Sequence, residues 1–262
     1  MIIPPINGNC NQQDFFIFAA ADTVYFDVHA KALINSVLAN ATDVGCHIHI
    51  YDPRPDQIEF CNRSRVSCTY ETTSPTEFNH VAAYWTDRTN FANDRQRQMF
   101  KKGQTLGSAE LLKLIKQTYY ACTRFVRLAE ILQPGQRCLA LDVDGLVRKS
   151  FDYQLGDSDF YLYRKPKDGT HLAGALLFNG LPGSNNFLQQ YAQVLRKNIQ
   201  ENELYWFLDQ VVLDELVPLY NVGLLPMSYI DWAMRGESAI WSAKGKRKEL
   251  EVFKREQQKY SR

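Results

Sequence analysis

The feature that most constrains this chain is an apolar run that ends at two aspartates, Cys-Leu-Ala-Leu-Asp-Val-Asp-Gly-Leu-Val at residues 138–147. The three residues before Asp142 show no polar alternation, which is typical of a strand covered on both faces, as in a parallel sheet. Ligands of such sheets collect at the carboxyl ends of the strands. The pattern therefore predicts an α/β fold with a functional site at Asp142 and Asp144.

These two aspartates are spaced to share a ligand. Neighbours at i and i+2 in a strand point the same way, so Asp142 and Asp144 can face one cation, and Gly145 lets the backbone turn away. Two carboxylates suit Mg²⁺ or Mn²⁺, which completes its shell with water and substrate phosphate. We expect Mn²⁺ or Mg²⁺ as cofactor and a phosphorylated ligand, the alternative being a chance Asp-x-Asp triplet.

Composition sets the class of protein. The 262 residues are 45% hydrophobic and 13% aromatic, enough for one large α/β domain or two small ones. No low-complexity linker divides the chain, which favours a single domain over residues 1–262. No run reaches about 18 apolar residues, and residues 1–13 lack the basic start and apolar stretch of a signal peptide. We therefore expect no membrane span and a soluble, cytoplasmic protein.

The charge distribution argues against nucleic acid as a partner. The net charge is +1, but eight Lys or Arg and three Glu fall in the last 19 residues, from Lys244 onward, and the remainder is acidic. A basic segment this short on an acidic chain is not the extended patch that nucleic-acid binding requires.

The order of apolar segments predicts strands alternating with helices. The strand, helix, strand sequence near the amino terminus is a βαβ unit, which favours a parallel sheet. An apolar helix over 203–216 carries Asp209, and burying an unpaired carboxylate is costly, so Asp209 needs a partner or a polar site. The predicted strands are Asp14–Ala21, Cys46–Tyr51, Val66–Tyr70, Phe160–Arg164 and Ala173–Asn179.

Five short motifs follow one another along the chain. They are Ala20-Ala21-Asp22-Thr23-Val24-Tyr25, then Arg124 upstream of Leu141-Asp142-Val143-Asp144, then Ala173-Gly174, Asp209-Gln210 and Lys244-Gly245-Lys246-Arg247-Lys248. In this order, over most of residues 14–250, the chain resembles nucleotide-sugar glycosyltransferases of the GT-A fold, nearest to the retaining glycosyltransferase family 8 and its relatives.

The resemblance implies the architecture. It implies a GT-A (Rossmann-like), mostly parallel central sheet flanked by helices in a single domain. Residues 14–135 would form a nucleotide-binding half and residues 136–250 a half for the metal, the donor sugar and the acceptor. A helical tail would follow over 249–262.

The resemblance also implies the activity. It implies a metal-dependent hexosyltransferase that moves a sugar from a UDP-sugar to a hydroxyl of a glycan, a protein or a small molecule, with retention of anomeric configuration. The implied roles are base binding by Asp22 and Tyr25, diphosphate or sugar binding by Arg124, sugar binding by Ala173 and Gly174, diphosphate binding by Lys244, Gly245 and Lys246, and catalysis by Asp209 and Gln210.

Two positions depart from the family pattern. Family members often carry a metal-binding His just before the Lys-Gly loop, where this chain has Ser242. The Ser242 hydroxyl, or a water molecule, is therefore the expected third ligand beside Asp142 and Asp144. An Asn that often precedes Ala-Gly is replaced by Leu172, so the donor sugar cannot be carried over from the family.

Two other functions fit parts of the sequence. A sugar nucleotidyltransferase also places carboxylates and metal at a strand end, but such enzymes begin with a Gly-rich loop that Ala19–Asp22 lacks. A catalytically silent module that binds nucleotide sugars or glycans would account for the two departures. Acceptor choice is expected to reside in Glu71–Thr105.

Overall fold

The computed structural model describes residues 1–10, 13–88, 90–91, 94–105, 108–151, 155–165 and 169–261. Within these ranges the strands form one eight-stranded sheet and one three-stranded sheet. The strands are β1 (Asn7–Asn9), β2 (Phe15–Asp22), β3 (Gly45–Tyr51), β4 (Val66–Glu71), β5 (Arg137–Leu141), β6 (Gly145–Val147), β7 (Phe160–Arg164), β8 (His171–Phe178), β9 (Val222–Leu224), β10 (Ile230–Asp231) and β11 (Ile240–Ser242).

The large sheet has the order β1-β4-β3-β2-β5-β8-β7-β9. Its centre is parallel, because β2 pairs in parallel with both β3 and β5, and β3 with β4. The strand β8 runs antiparallel to β5 and β7, and β1 runs antiparallel to β4. The apolar runs of the sequence thus form the buried centre, and the expected mostly parallel sheet is confirmed.

Helices cover both faces of this sheet. They are α1 (Thr23–Tyr25), α2 (Lys31–Asn40), α3 (Pro55–Phe60), α4 (Pro75–Asp87), α5 (Asp94–Thr105), α6 (Ser108–Ile131), α7 (Pro182–Gln200), α8 (Leu208–Leu216) and α9 (Glu251–Gln258). On one face α6, α7 and α8 bury a core rich in aromatic rings, and on the other α2 packs against β2 and β3. Among the helices of the described ranges, none is both long enough and apolar enough to cross a bilayer.

The sequence-based helix over 203–216 is too long at its start. Helix α8 begins at Leu208, because Phe207 adopts a left-handed backbone with φ of 68° and no helix passes through such a residue. Periodic apolar residues suggested helix through this segment, whereas tertiary contacts hold it in another conformation.

The small sheet, β10-β11-β6, positions the basic loop. Ser242 in β11 pairs with Gly145 in β6, which directly follows Asp144. The loop after β11, Lys244 to Lys248, therefore lies beside the carboxyl end of β5. The tail helix α9 lies within the expected 249–262 and packs Phe253 against Trp241.

A buried ion pair ties the amino terminus to the sheet edge. Nε of Arg127 donates to Glu71 at 2.6 Å, and its Nη2 donates to the carbonyl of Pro4 at 2.6 Å. The Tyr119 hydroxyl donates to the same carboxylate at 2.6 Å. Burial alone would raise the pKa of Glu71, but the hydrogen bond from His49 and the charge of Arg127 hold that pKa below its ordinary 4.5.

We expect Glu71→Gln to lower the free energy of unfolding by about 3–5 kcal/mol, because it removes the fully buried charge partner of Arg127 and leaves only the partly exposed Glu130. Since the folded pKa of Glu71 is depressed, its contribution is complete above pH 4.5 and is lost as pH falls. Urea denaturation from pH 7 down to pH 3 measures both effects. The matched control is Glu130→Gln, whose carboxylate pairs with the same Arg127 but is 27% exposed, and we expect less than about 1 kcal/mol. Equal effects of the two variants would contradict the assignment.

Candidate active site

The two predicted carboxylates lie together at the carboxyl end of β5. The backbone N–H of Asp142 donates to the carbonyl of Gly174 at 2.9 Å, and that of Gly145 donates to the carbonyl of Asp142 at 2.9 Å. The first bond extends the pairing of β5 with β8, and the second closes a turn that contains Asp144. Both side chains line one cavity. The i, i+2 prediction assumed an extended strand, whereas β5 ends at Leu141 and Asp144 lies in the turn that follows.

Arg124, on α6, joins three parts of the site. Its Nη1 donates to Oδ1 of Asp142, and its Nη2 donates to the carbonyl of Ala173 at 2.9 Å and to Oδ2 of Asp209 at 3.4 Å. One guanidinium therefore compensates carboxylates from two separate elements. The sequence predicted that a buried Asp209 would need a partner or a polar site. Asp209 is 8% exposed, and Arg124 is its cationic partner.

Lys248 joins the second carboxylate to the first motif. Its ammonium donates to Oδ2 of Asp144 at 2.7 Å and to the Tyr25 hydroxyl at 3.3 Å, and it lies 4.7 Å from the centre of the Tyr25 ring. The sequence placed Lys248 in the basic loop but assigned it no role. The structure brings it into the site, where it links the carboxyl ends of β2 and β5.

The environments of the two carboxylates shift their pKa values in opposite directions. Burial alone would raise the pKa of Asp142, but the charges of Arg124 and Lys244 hold it below the ordinary 3.8. Burial and the neighbouring charge of Asp142 raise the pKa of Asp144 above 3.8, and Lys248 offsets only part of that rise. Asp144 is thus the less compensated carboxylate and gains more from an added positive charge.

The polar atoms around Asp144 fit a divalent cation. Oδ1 of Asp144 and Oγ of Ser242 are both buried and have no hydrogen-bond partner among the described residues. Among all the residues that the structure describes, no three His, Cys, Asp or Glu side chains come together as a metal-binding group. A hard cation at this end of β5 would take Asp142 and Asp144 from the protein and its other ligands from substrate phosphate and water, a common arrangement for Mg²⁺. Ser242 is fully buried and does not line the cavity that holds the two carboxylates, so its role as a third ligand remains a prediction.

Arg124 and Asp142 also border a second group of candidate residues, Ala173, Gly174, Asp209 and Gln210. The backbone N–H of Ala173 donates to Oε1 of Gln210 at 3.1 Å, whereas the buried Nε2 of Gln210 has no partner in the described ranges. A cavity of about 180 Å³ opens between these groups. It presents a carboxylate, a free amide N–H group and backbone groups to a small polar ligand.

Gly174 is required by the position of Asp142. A Cβ atom at this position would lie 2.4 Å from Oδ2 of Asp142, closer than non-bonded atoms approach. Glycine at 174 therefore lets the carboxylate lie directly against β8.

The Asp22 and Tyr25 motif borders a second, larger cavity of about 410 Å³, within the usual size of ligand sites. Asp22 ends β2, and its Oδ1 accepts a hydrogen bond from the backbone N–H of Tyr25 at 2.8 Å, so it caps α1. The two cavities share Arg124, Asp142 and Lys244 in their walls, and together they form a groove, which we call the donor groove.

The structure does not bring every candidate residue into the donor groove. Lys244 and Gly245 line it, but Lys246 is exposed and lines neither cavity, so its role in binding remains a prediction. Besides Lys248, sequence reasoning missed Trp206 and Phe207, which line both cavities. The available signal was their position two and three residues before Asp209, which the predicted helix over 203–216 obscured.

Known proteins resemble this chain in structure but not detectably in sequence. No family model matches the sequence, and no curated protein matches it. The galactosyltransferase LgtC, solved in complex with donor and acceptor sugar analogues, superposes with a TM-score of 0.55 at 14% identity over 94% of this chain and 96% of that one.

Two other glycosyltransferases are also similar. GlyE of Streptococcus pneumoniae TIGR4 gives a TM-score of 0.55 at 13% identity and covers 94% of this chain, which spans 59% of that one. The bifunctional glycosyltransferase WbbM gives 0.52 at 14% identity and covers 91% of this chain, which spans 48% of that one. The chain therefore has the GT-A glycosyltransferase fold that its sequence predicts.

Proposed function

We propose that this protein is a metal-dependent glycosyltransferase that moves a sugar from a UDP-sugar to an acceptor hydroxyl with retention of anomeric configuration. The observation that carries the proposal is the donor groove, in which Arg124 joins the carboxylates at the end of β5 to Asp209 on α8. A nucleoside diphosphate sugar has a base, two phosphates and a sugar in a row, and the groove offers matching groups in the same order.

The nucleotide end of the groove is formed by Asp22 and Tyr25. The Tyr25 ring is 38% exposed and can stack on the base, while Asp22 can accept a hydrogen bond from it. Lys248 contacts both Tyr25 and Asp144, so an arriving nucleotide exchanges these contacts for contacts of Lys248 with its phosphates. Lys244 lines the same cavity and supplies a second ammonium.

Asp142, Asp144 and Ser242 would hold Mn²⁺ or Mg²⁺, which when bound would polarise the diphosphate as a Lewis acid. The chain's own contribution is fixed positive charge beside the leaving group. When the bond from the anomeric carbon to the phosphate oxygen breaks, negative charge develops on that oxygen, and the ammonium groups of Lys244 and Lys248, already in contact with the bound phosphates, would stabilise it.

The sugar end of the groove is formed by Asp209, Gln210, Ala173 and Gly174. Oδ2 of Asp209 is held by Arg124 at 3.4 Å. Nε2 of Gln210 is buried and has no partner among the described residues, so a sugar oxygen placed beside it would supply the missing acceptor. We assign both residues to positions beside the anomeric carbon. In LgtC, which has this fold, a glutamine-to-glutamate substitution is an active-site mutation, so a glutamine belongs to the active site of that enzyme.

One observation favours a second function. Each carboxylate at the end of β5 already has a cationic partner, Arg124 for Asp142 and Lys248 for Asp144. A module that binds nucleotide sugars without turning them over would need no metal and could use this arrangement.

Thermal unfolding with a panel of nucleoside diphosphates and their sugars, each with and without Mn²⁺, tests the proposal. We expect UDP or a UDP-sugar to stabilise the protein only with Mn²⁺, by about 2.7 kcal/mol at 100 times its dissociation constant. Asp142→Asn and Asp144→Asn should abolish the Mn²⁺-dependent part, whereas Glu251→Gln, an exposed carboxylate on α9, should retain it.

Release of UDP from the stabilising sugar nucleotide then separates the two functions. Turnover that both aspartate variants lose supports the transferase. Tight binding without turnover, in the presence of Mn²⁺ and a range of acceptors, would establish the binding module instead. A folded protein that responds to no nucleotide would exclude both.

We expect Gly174→Ala to lower kcat/KM at least about tenfold, or about 1.4 kcal/mol of transition-state stabilisation, because the added methyl group must displace the Asp142 carboxylate. The control is Gly236→Ala, where a Cβ atom meets nothing within 4 Å and activity should not change. Steady-state kinetics of both variants, with circular dichroism to confirm folding, is the measurement. Unchanged kcat/KM in Gly174→Ala would show that the position of Asp142 does not matter to the reaction.

A further inference from the structure

The segment before α8 places two aromatic side chains in the open. Trp206 is 37% exposed and Phe207 is 40% exposed, and their ring centres lie 5.0 Å apart with planes at 62°. The other three tryptophans, Trp85, Trp232 and Trp241, are at most 4% exposed. Large aromatic residues bury their surface unless a ligand or partner covers it.

This aromatic pair stands where the donor groove meets a third cavity. Trp206 and Phe207 line both cavities of the donor groove and also a cavity of about 600 Å³ on the side of α5. The remaining walls of that third cavity are Asp94, Arg95, Gln98 and Met99. A molecule in the third cavity would therefore have the aromatic pair between itself and Asp209.

The backbone of the aromatic segment is fixed in an uncommon conformation. Phe207 has a φ of 68°, a left-handed backbone that bulky side chains rarely adopt, and such residues cluster at functional sites. The segment is anchored from the α4–α5 side, because the Glu203 carboxylate accepts hydrogen bonds from Tyr84 at 2.7 Å and from Gln96 at 2.9 Å, and pairs with Arg88 at 2.6 Å. The aromatic pair is thus held in place before any ligand arrives.

The chemistry of the third cavity matches a sugar ring. One face of a pyranose carries C–H groups that pack on an aromatic ring, and its rim carries hydroxyls that need hydrogen-bond partners. The Arg95 guanidinium lies 5.4 Å from the centre of the Phe207 ring, and exposed Asp94 and Gln98 stand beside it. The exposed aromatic rings can pack against the C–H groups of a sugar, and the charged and amide groups around them can hydrogen-bond to its hydroxyls.

We propose that Trp206 and Phe207 form the acceptor platform and that the acceptor is a carbohydrate whose pyranose ring stacks on Trp206 with its hydroxyls toward Arg95 and Gln98. This inference rests on the proposed function and names its acceptor class. The aromatic pair then separates acceptor from donor, and an acceptor hydroxyl at its edge points toward Asp209 and Gln210.

Direct binding of methyl glycosides tests the platform. The probes are the methyl α- and β-glycosides of glucose, galactose and N-acetylglucosamine, with UDP and Mn²⁺ present, followed by saturation-transfer NMR and by tryptophan fluorescence, to which Trp206 is the exposed contributor. We expect at least one glycoside to bind, Trp206→Ala to weaken its dissociation constant at least about tenfold, and Trp206→Phe, which keeps a ring, to weaken it less. Leu219→Ala, which removes another exposed apolar side chain outside the three cavities, should have no effect.

The outcomes separate this inference from the proposed function. If UDP-sugar binds and turns over but glycosides bind equally well to Trp206→Ala, or if only aliphatic alcohols or peptides accept the sugar, the platform is refuted and the transferase stands. If no nucleotide binds but glycoside binding still depends on Trp206, the carbohydrate platform is supported and the transferase fails. Absence of glycoside binding to the folded wild-type protein overturns the platform.

Discussion

The site depends first on the compensation of its buried negative charge. Asp142, Asp144 and Asp209 come from two separate segments, and three carboxylates brought together without positive charge would repel one another and oppose folding. Arg124 contacts two of them and Lys248 the third. The guanidinium is planar and always charged, so it can serve two carboxylates at once in a fixed geometry, which the ammonium of a lysine could not do.

The same compensation defines how a ligand can enter. A dianionic diphosphate that approached Asp142 and Asp144 would meet carboxylates that are each paired with a cation, Asp142 more completely than Asp144, and Lys244 adds further positive charge beside them. The groove is therefore receptive to an anion although its floor is acidic. The residual imbalance at Asp144 leaves room for a cation that arrives together with the phosphates.

Local sequence patterns were sufficient for much of this structure. The unbroken apolar runs of β2 and β5 predicted a parallel centre, because such a pattern depends only on neighbouring residues. The run before Asp142 likewise predicted that the two carboxylates would follow the carboxyl end of a buried strand. The break at Phe207 and the three contacts of Lys248 could not be predicted in this way. They depend on which distant side chains meet, and apolar periodicity indicated a helix from residue 203, whereas α8 begins only at Leu208.

The two buried arginine sites on α6 show how similar residues diverge in role. Arg124 and Arg127 stand one turn apart, and the family resemblance assigned a ligand-binding role to Arg124 alone. Arg124 reaches the carboxyl ends of the strands, where a ligand can compete for it. Arg127 is enclosed with Glu71 and holds the chain near Pro4, so it acts on the stability of the fold.

The anchoring of Glu203 by Tyr84, Arg88 and Gln96 has a consequence for how this protein could change its specificity. The wall of the third cavity and the aromatic segment that faces it belong to distant parts of the sequence. The Glu203 carboxylate connects them, because it lies next to the aromatic segment and contacts residues of the α4–α5 region. A homologue or a chimera that exchanged residues 71–105 alone would lose that junction and release the aromatic rings from their positions. A change of acceptor preference in this architecture would therefore require both segments to change together, because a substitution in one limits which substitutions the other can accept.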